Sequence, residues 1–343
     1  MVHRRLLAAL LVVATLLLIG LIFTDWLPYL RGPAPETGEW YWPHRLRPFQ
    51  RWWVPVLAAL ALFGISAWWL TRTKARQGHT IIAIAGLVAA SLLMQLALVY
   101  ADRPDVAAEL VDRTLSNLES GFFEPAAVID DIHQVLHAYP QLMPGFVSEH
   151  ARTHPPGLIL ANWLTIQALA EGPDVSVPIA RHVWPLRCTD LWLLNRPAGV
   201  AAALAVWAIL PMIAAALTAI PAYWLARRLL KPGAVRLATI TAATVPALLL
   251  FAPKSVQLYA PLSLLALLAL HNGLERRALP WLFLSGFTLS VATFLSLGNA
   301  ALLPLLAVYT LLFIYQQRRH LVTPSPGHLV TLSHSPSAPS PSG

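Results

Sequence analysis

The sequence predicts an all-α, polytopic membrane protein of about eight transmembrane helices, with a large outer loop containing juxtamembrane helices. Three observations predict it. Of its 343 residues 57% are hydrophobic and 12% charged, with a mean hydropathy of +0.60, whereas soluble domains carry about 25% charged residues. Apolar runs close to the roughly 20 residues that a spanning helix needs recur along the chain. The basic residues fall in short clusters on alternate connections between those runs, as the positive-inside rule requires of cytoplasmic loops. That placement accounts for the net charge of +8, so nucleic acid is not an expected partner.

The runs cover residues 6–24, 52–71, 80–100, 198–225, 235–252, 256–272, 280–297 and 299–315. The first follows MVHRR, is too long for the apolar core of a signal peptide and lacks a small-x-small cleavage site, so it is expected to be a retained signal anchor. Residues 1–79 then form two N-terminal spans and an outer loop in which Trp40, Trp42, Trp52 and Trp53 flank Arg45 and Arg47. An aromatic belt at headgroup depth explains them most simply; a lipid-phosphate site on Arg45 and Arg47 is the sharper alternative. Further on, Pro211, Pro221 and Pro246 are placed to kink their spans.

Residues 80–319 form the main membrane domain. Arg4 and Arg5, Arg72 to Arg76, Arg227 to Arg236, Arg276 and Arg277, and Arg318 and Arg319 fall on one side, which is expected to be cytoplasmic, with the N-terminus. The loop 101–197, rich in Asp and Glu from Asp102 to Glu149, is then extracytoplasmic. Inside it, "GLILANWLTIQALA" at 157–170 is short for a span, and counting it would invert every later loop. A helix lying on or dipping into the membrane surface is expected there, with Asn162 and Trp163 at the interface. Residues 320–343 repeat HLVT and are otherwise rich in Ser, Pro and Gly, a composition expected to be disordered. Cys188, the single cysteine, excludes an intrachain disulfide and a Cys-based metal site.

The outer loop concentrates the ionisable groups. Glu119 and Glu124 bracket Phe122 and Phe123, and Asp130 and Asp131 follow; a carboxylate screened by aromatics near a membrane face can serve as a general base. The plain alternative is that these acids solvate a loop helix. His150 and His154 have a four-residue spacing used by metal ligands, yet Pro155 turns His154 away from helical geometry, so no metal ligand is assigned. Arg152 and His154 suit a phosphate, and the Pro155-Pro156 pair fixes where the next helix starts. Lys254, Gln257 and Tyr259 in "FAPKSVQLYAP" gather at an outer end and could line a substrate cavity. Ser296 and Asn299 are expected to be turn residues.

Taken in order, the helix at 80–100, the acidic "ESGFFEPA", then "THPPGLILANW" and a long helix ending in "YWLARRLLKPG" resemble the GT-C superfamily. The similarity is closer to the branch of protein O-mannosyltransferases and lipid A aminoarabinose transferases, and covers residues 80–315. Glu119, Phe122 or Phe123 and Ala126 or Ala127 match its acidic motif; Pro155, Pro156 and Trp163 match its Pro-Pro-to-Trp element. The chain departs in having Glu119 followed by Ser120 instead of an acidic pair, two extra leading spans, and none of the later helices and soluble C-terminal domain of many members. The resemblance implies a polyprenyl-phosphate-linked sugar as donor, membrane lipids as partners, and sugar transfer to a hydroxyl outside the plasma membrane. It implies Glu119 as base, with Glu124, Asp130 and Asp131 as alternates, and Arg152 and His154 on the departing phosphate. The sequence leaves the sugar, the acceptor and any divalent-ion cofactor open. The alternative class is a non-enzymatic carrier, transporter or scaffold, or an inactive relative.

Overall fold

The computed structural model describes residues 2–32, 53–72, 77–188 and 190–322. Helix makes up 83% of it, and no strand occurs among the described residues. The loop expected to carry Trp40, Trp42, Trp52, Arg45 and Arg47, and the tail from residue 323, lie outside these residues. The first unit, Met1–Trp53, contributes α1 (Val2–Thr24) and, beyond it, an ion pair between Arg31 and Asp25 at 2.8 Å.

The second unit starts at Val54, one residue into α2 (Trp53–Arg72), and continues with α3 (Gln77–Asp102). Short helices follow: α4 (Val106–Leu115), α5 (Phe123–Ala127), α6 (Ile132–His137), α7 (Tyr139–Leu142), α8 (Glu149–Thr153), α9 (Gly157–Ala170) and α10 (Pro173–Ala180). The remainder is α11 (Ala198–Trp207), α12 (Leu210–Leu217), α13 (Ala219–Leu229), α14 (Pro232–Ala243), α15 (Pro246–Leu250), α16 (Tyr259–Arg276), α17 (Leu279–Leu295) and α18 (Leu302–Val322).

Among the described residues, six helical stretches are long and apolar enough to cross a membrane: Trp53–Arg72, Gly78–Asp102, Ala198–Leu229, Pro232–Leu250, Ser255–Arg276 and Leu297–Arg318. They are compatible with a multi-pass membrane protein. The other two expected runs lie in α1, 23 residues long, and in the shorter apolar helix Leu279–Leu295. Apolar side chains along α18, such as Leu305 and Leu311, are exposed, as they are where lipid is the solvent.

Prolines set the breaks. A proline inside a helix removes one hydrogen bond and pushes on the carbonyl four residues back. Pro211 therefore separates α11 from α12 at Ala208 and Ile209, Pro221 separates α12 from α13 at Thr218, and Pro246 ends α14 before α15. The breaks are short, and at Thr218 the backbone stays in the right-handed helical region. Ala208 and Met212 cluster with Val99 near the end of α3, Leu110, and Ala252 just past α15. So α11 continues past the level where its neighbours end, and α12 with α13 forms a segment roughly 30 Å long.

Beyond that level the loop helices make a cap with its own core. Phe122, Phe123, Tyr139, Leu158, Ile159, Ile166, Val183 and Leu193 bury themselves against Val200 to Leu204 of α11. A Cβ on Gly199 would press on the Ala170 backbone, and the Trp207 indole donates to Thr165 Oγ1 at 3.1 Å, so α9 and α11 lie antiparallel and close. A Cβ on Gly157 would overlap the Phe294 carbonyl oxygen, which seats the start of α9 on the end of α17. Asn162 is buried and donates to the Leu158 carbonyl at 2.7 Å. That corrects the interfacial role expected of it: it faces protein.

Candidate functional site

Two segments singled out in the sequence meet in the cap. After α4 the amides of Glu119, Ser120 and Gly121 all donate to the Ser116 carbonyl, at 3.2, 2.9 and 3.0 Å. Gly121 closes this turn at φ +68°, and a Cβ there would overlap Ser148 Oγ. Glycine is required twice over, by the left-handed backbone and by the close approach. Ser148 is the N-cap of α8, its Oγ accepting from the His150 amide at 3.2 Å, so the "ESGFF" turn sits on the helix that carries His150 and Arg152.

The aromatic of that turn does the joining. Phe122 lies edge-on to His154 at 5.4 Å between centroids and 6.3 Å from His150. His154 Nδ1 is 2.8 Å from the His150 carbonyl, which sets the proton of the neutral ring on Nδ1 and leaves Nε2 an acceptor. Burial holds the His154 pKa below the ordinary histidine value, outweighing the hydrogen bond to the His150 carbonyl that favours charge. The Tyr139 hydroxyl donates to the His154 carbonyl at 3.0 Å, and its pKa is pushed up to about 12 by burial.

The carboxylates are dispersed. Glu119, half-buried, stands 3.8 Å from Lys254 Nζ. Lys254 also lies 5.5 Å from the Phe251 ring centroid. Glu124 accepts from Asn117 Nδ2 at 2.7 Å. Asp131 caps α6, accepting from the amides of His133 and Gln134, and Asp130 is exposed. Arg152 is exposed and committed to Glu149 at 2.9 Å and to the Phe146 carbonyl. Of the expected ligands, then, Lys254 meets a candidate base and Arg152 meets Glu149.

Gln257 does not line a cavity. It is fully buried, donates to Gln95 Oε1 and to the Leu248 carbonyl at 2.7 Å each, and accepts from the Lys254 amide at 3.3 Å. The Leu248 carbonyl is in the last turn of α15, where helix carbonyls lack partners, so Gln257 is a structural post beneath Lys254. Gln95 continues the chain to the Met212 carbonyl at 3.1 Å. The Tyr259 hydroxyl is buried without a partner of hydrogen-bonding geometry, although Ser255 and Ser296 lie beside it. Asn299 donates to the Ala292 carbonyl at 2.7 Å, the turn role expected of it. A cavity of about 10 Å³ between Ser120, Phe122, Asn162 and Ser255 has room for one water.

A buried ion network supports the site from below. Arg113 reaches Glu109 at 2.7 Å, Asp102 at 3.0 Å and the Ala252 carbonyl at 2.9 Å, tying α4 to the segment before Lys254. Arg103 adds a second cation 3.0 Å from Glu109, without hydrogen-bond geometry to its Oε2. Arg113, Gln95, Asn117 and Ser148 were not among the expected site residues. The Glu109-to-Arg113 spacing of four on a helix and the lone amide Gln95 in an apolar run were signals that could have found two of them. Among the described residues no three His, Cys, Asp or Glu side chains gather to hold a metal. Neither the family models, the curated proteins nor the solved structures compared with this chain match it.

Proposed function

We propose that this protein is a membrane glycosyltransferase, a hexosyltransferase that moves a sugar from a polyprenyl-phosphate donor to an acceptor hydroxyl on the extracytoplasmic face of the cell membrane, with its N-terminus cytoplasmic. The observation that carries the reading is the approach of Glu119 to Lys254 within 3.8 Å, beside the start of α9 and the Phe122–His154 contact. Transfer needs a base for the acceptor and a cation for the leaving phosphate. The acceptor oxygen forms a bond to the anomeric carbon, its proton passes to Glu119, and the sugar–phosphate C–O bond breaks. The charge then left on the lipid phosphate is answered by Lys254. A donor phosphate that shares the Lys254 ammonium frees Glu119 for the acceptor.

Arg152 keeps a secondary part. Its pair with Glu149 is exposed, and such pairs contribute only about 0–1 kcal/mol, so a phosphate can displace it at little cost. The test is transfer of radiolabelled sugar from polyprenyl-phosphate donors in membranes expressing the wild type, Glu119→Gln or Lys254→Met. Removing a general base costs about 100- to 10,000-fold, so Glu119→Gln is expected to lose at least about 100-fold. Transfer that survives both substitutions undiminished refutes the assignment.

A second reading, a carrier for a lipid-linked substrate, is favoured by one observation. The Ala198–Leu229 and Pro232–Leu250 stretches are interrupted at prolines, and discontinuous helices are common at transport sites. Protein-dependent movement of labelled lipid across vesicles, with no sugar transfer from any donor, selects it.

A further inference from the structure

A second cavity lies at the opposite end of the bundle from the cap. The ends of α2 and α13 and the starts of α3 and α14 enclose about 760 Å³, within the range of small-ligand sites. Leu70, Ile81, Ile84 and Ile220 form an apolar wall; Trp224, Arg227 and Arg236 also line the cavity. The Arg227 guanidinium lies 5.4 Å from the Trp224 ring centroid and 5.6 Å from that of Tyr223. Arg236 donates to the Thr71 carbonyl at 2.6 Å, which fixes the direction of its fork. Among the described residues no carboxylate lines the space. Glu275, the only acidic residue after position 190, is 3.2 Å from Arg228, which does not line the cavity.

We infer that this cavity binds an anionic membrane phospholipid, its phosphate between Arg227 and Arg236 and the first methylenes of its acyl chain along Ile81 and Ile84. Charge decides the sign of the ligand, since the described lining carries two guanidiniums and no acidic side chain, which favours a phosphate, whose oxygens match the arginine fork. The apolar wall decides its source, because a free phosphate has nothing to place against isoleucine. Trp224 and Tyr223 fit the depth, as aromatic rings of this kind concentrate where headgroups meet hydrocarbon. The start of α14 at Pro232 on the same wall brings the positive end of a helix dipole to the phosphate.

The experiment uses the full chain in nanodiscs of phosphatidylcholine with rising phosphatidylglycerol, and counts retained lipids by native mass spectrometry. The wild type is expected to retain one phosphatidylglycerol at least about five-fold more tightly than phosphatidylcholine, and Arg227→Gln to weaken it about five-fold. Ala85→Trp, at an exposed position on the cavity wall, fills the space without changing charge and is expected to abolish retention. Arg318→Gln, outside the cavity, leaves retention unchanged. Circular dichroism and thermal unfolding confirm that each variant is folded. Equal retention of the two lipids, an Arg318→Gln effect as large as that of Arg227→Gln, or displacement by an equal concentration of glycerol 3-phosphate overturns the inference; the last assigns the site to a soluble phosphate.

Discussion

At the capped end Arg103, Arg113, Arg152 and Lys254 each face a carboxylate within 4 Å. At the other end Arg72, Arg227 and Arg276 lie over tryptophan or tyrosine rings, as Arg187 and Arg196 do in the cap, and Glu275 is the only carboxylate among the described residues there. The difference separates two uses of positive charge. Paired with acids, cations hold a fold together and balance a reacting group; stacked on aromatic faces, they keep an outward field that attracts anions. The cavity beside Phe122 in the cap has space for about one water, while that at the basic end is many times larger.

The largest effect expected at the capped end comes from its buried network. Arg113→Met leaves the buried Glu109 facing only Arg103, and removing one partner of such a pair costs about 3–5 kcal/mol. Thermal unfolding in detergent measures this, and pairing it with Glu109→Leu should recover most of the loss. Gly121→Ala meets both a left-handed backbone and Ser148, so a loss of about 2 kcal/mol is expected, relieved in part by Ser148→Gly.

Tyr139→Phe removes one buried donor and should cost about 1 kcal/mol. Because the folded Tyr139 titrates near 12 and the unfolded one near 10, its contribution is complete below about pH 10 and is lost as pH rises toward 12. Alkaline unfolding should therefore begin earlier in the wild type than its neutral stability suggests, and Tyr139→Phe should flatten that slope. His154 has the opposite sense. Its folded pKa is lowered, so the unfolded chain takes up the proton first, and stability held above about pH 6.5 declines as pH falls through that value; His154→Gln should remove this acid limb. Smallest of all, Arg152→Ala at the exposed pair is expected to change stability by less than about 1 kcal/mol.

The helical class and most span positions were legible because a bilayer imposes one length and one polarity on any helix that crosses it. Six of the expected runs form apolar helices of that length among the described residues, and the shortfall at Leu279–Leu295 is a matter of one turn that residue counting alone does not resolve. The breaks at Pro211, Pro221 and Pro246 were legible because proline acts locally. What the sequence concealed depends on contacts between distant segments. Nothing near Gln257 announces Gln95 as its partner, and nothing near His154 reveals that its Nδ1 is turned inward to the His150 carbonyl. Glu119 and Lys254 were each singled out, yet their approach is made by the fold alone. Arg152 suits a phosphate by the geometry of its fork, yet its neighbours Glu149 and the Phe146 carbonyl occupy it.

Pro211 has a further consequence for how the chain enters a bilayer. The apolar stretch Ala198–Leu229 is 32 residues long, more than a hydrocarbon layer about 30 Å thick can hold without strong tilt. Machinery that selects segments by hydrophobicity has several equivalent registers to choose from in such a stretch. The helix break before Pro211, with α11 bound to α9, leaves only one register compatible with the finished cap. The depth of this segment is therefore settled when the cap folds, and a variant that restores a continuous helix through position 211 should yield a mixture of depths, readable as a changed pattern of cysteine labelling along residues 198–229.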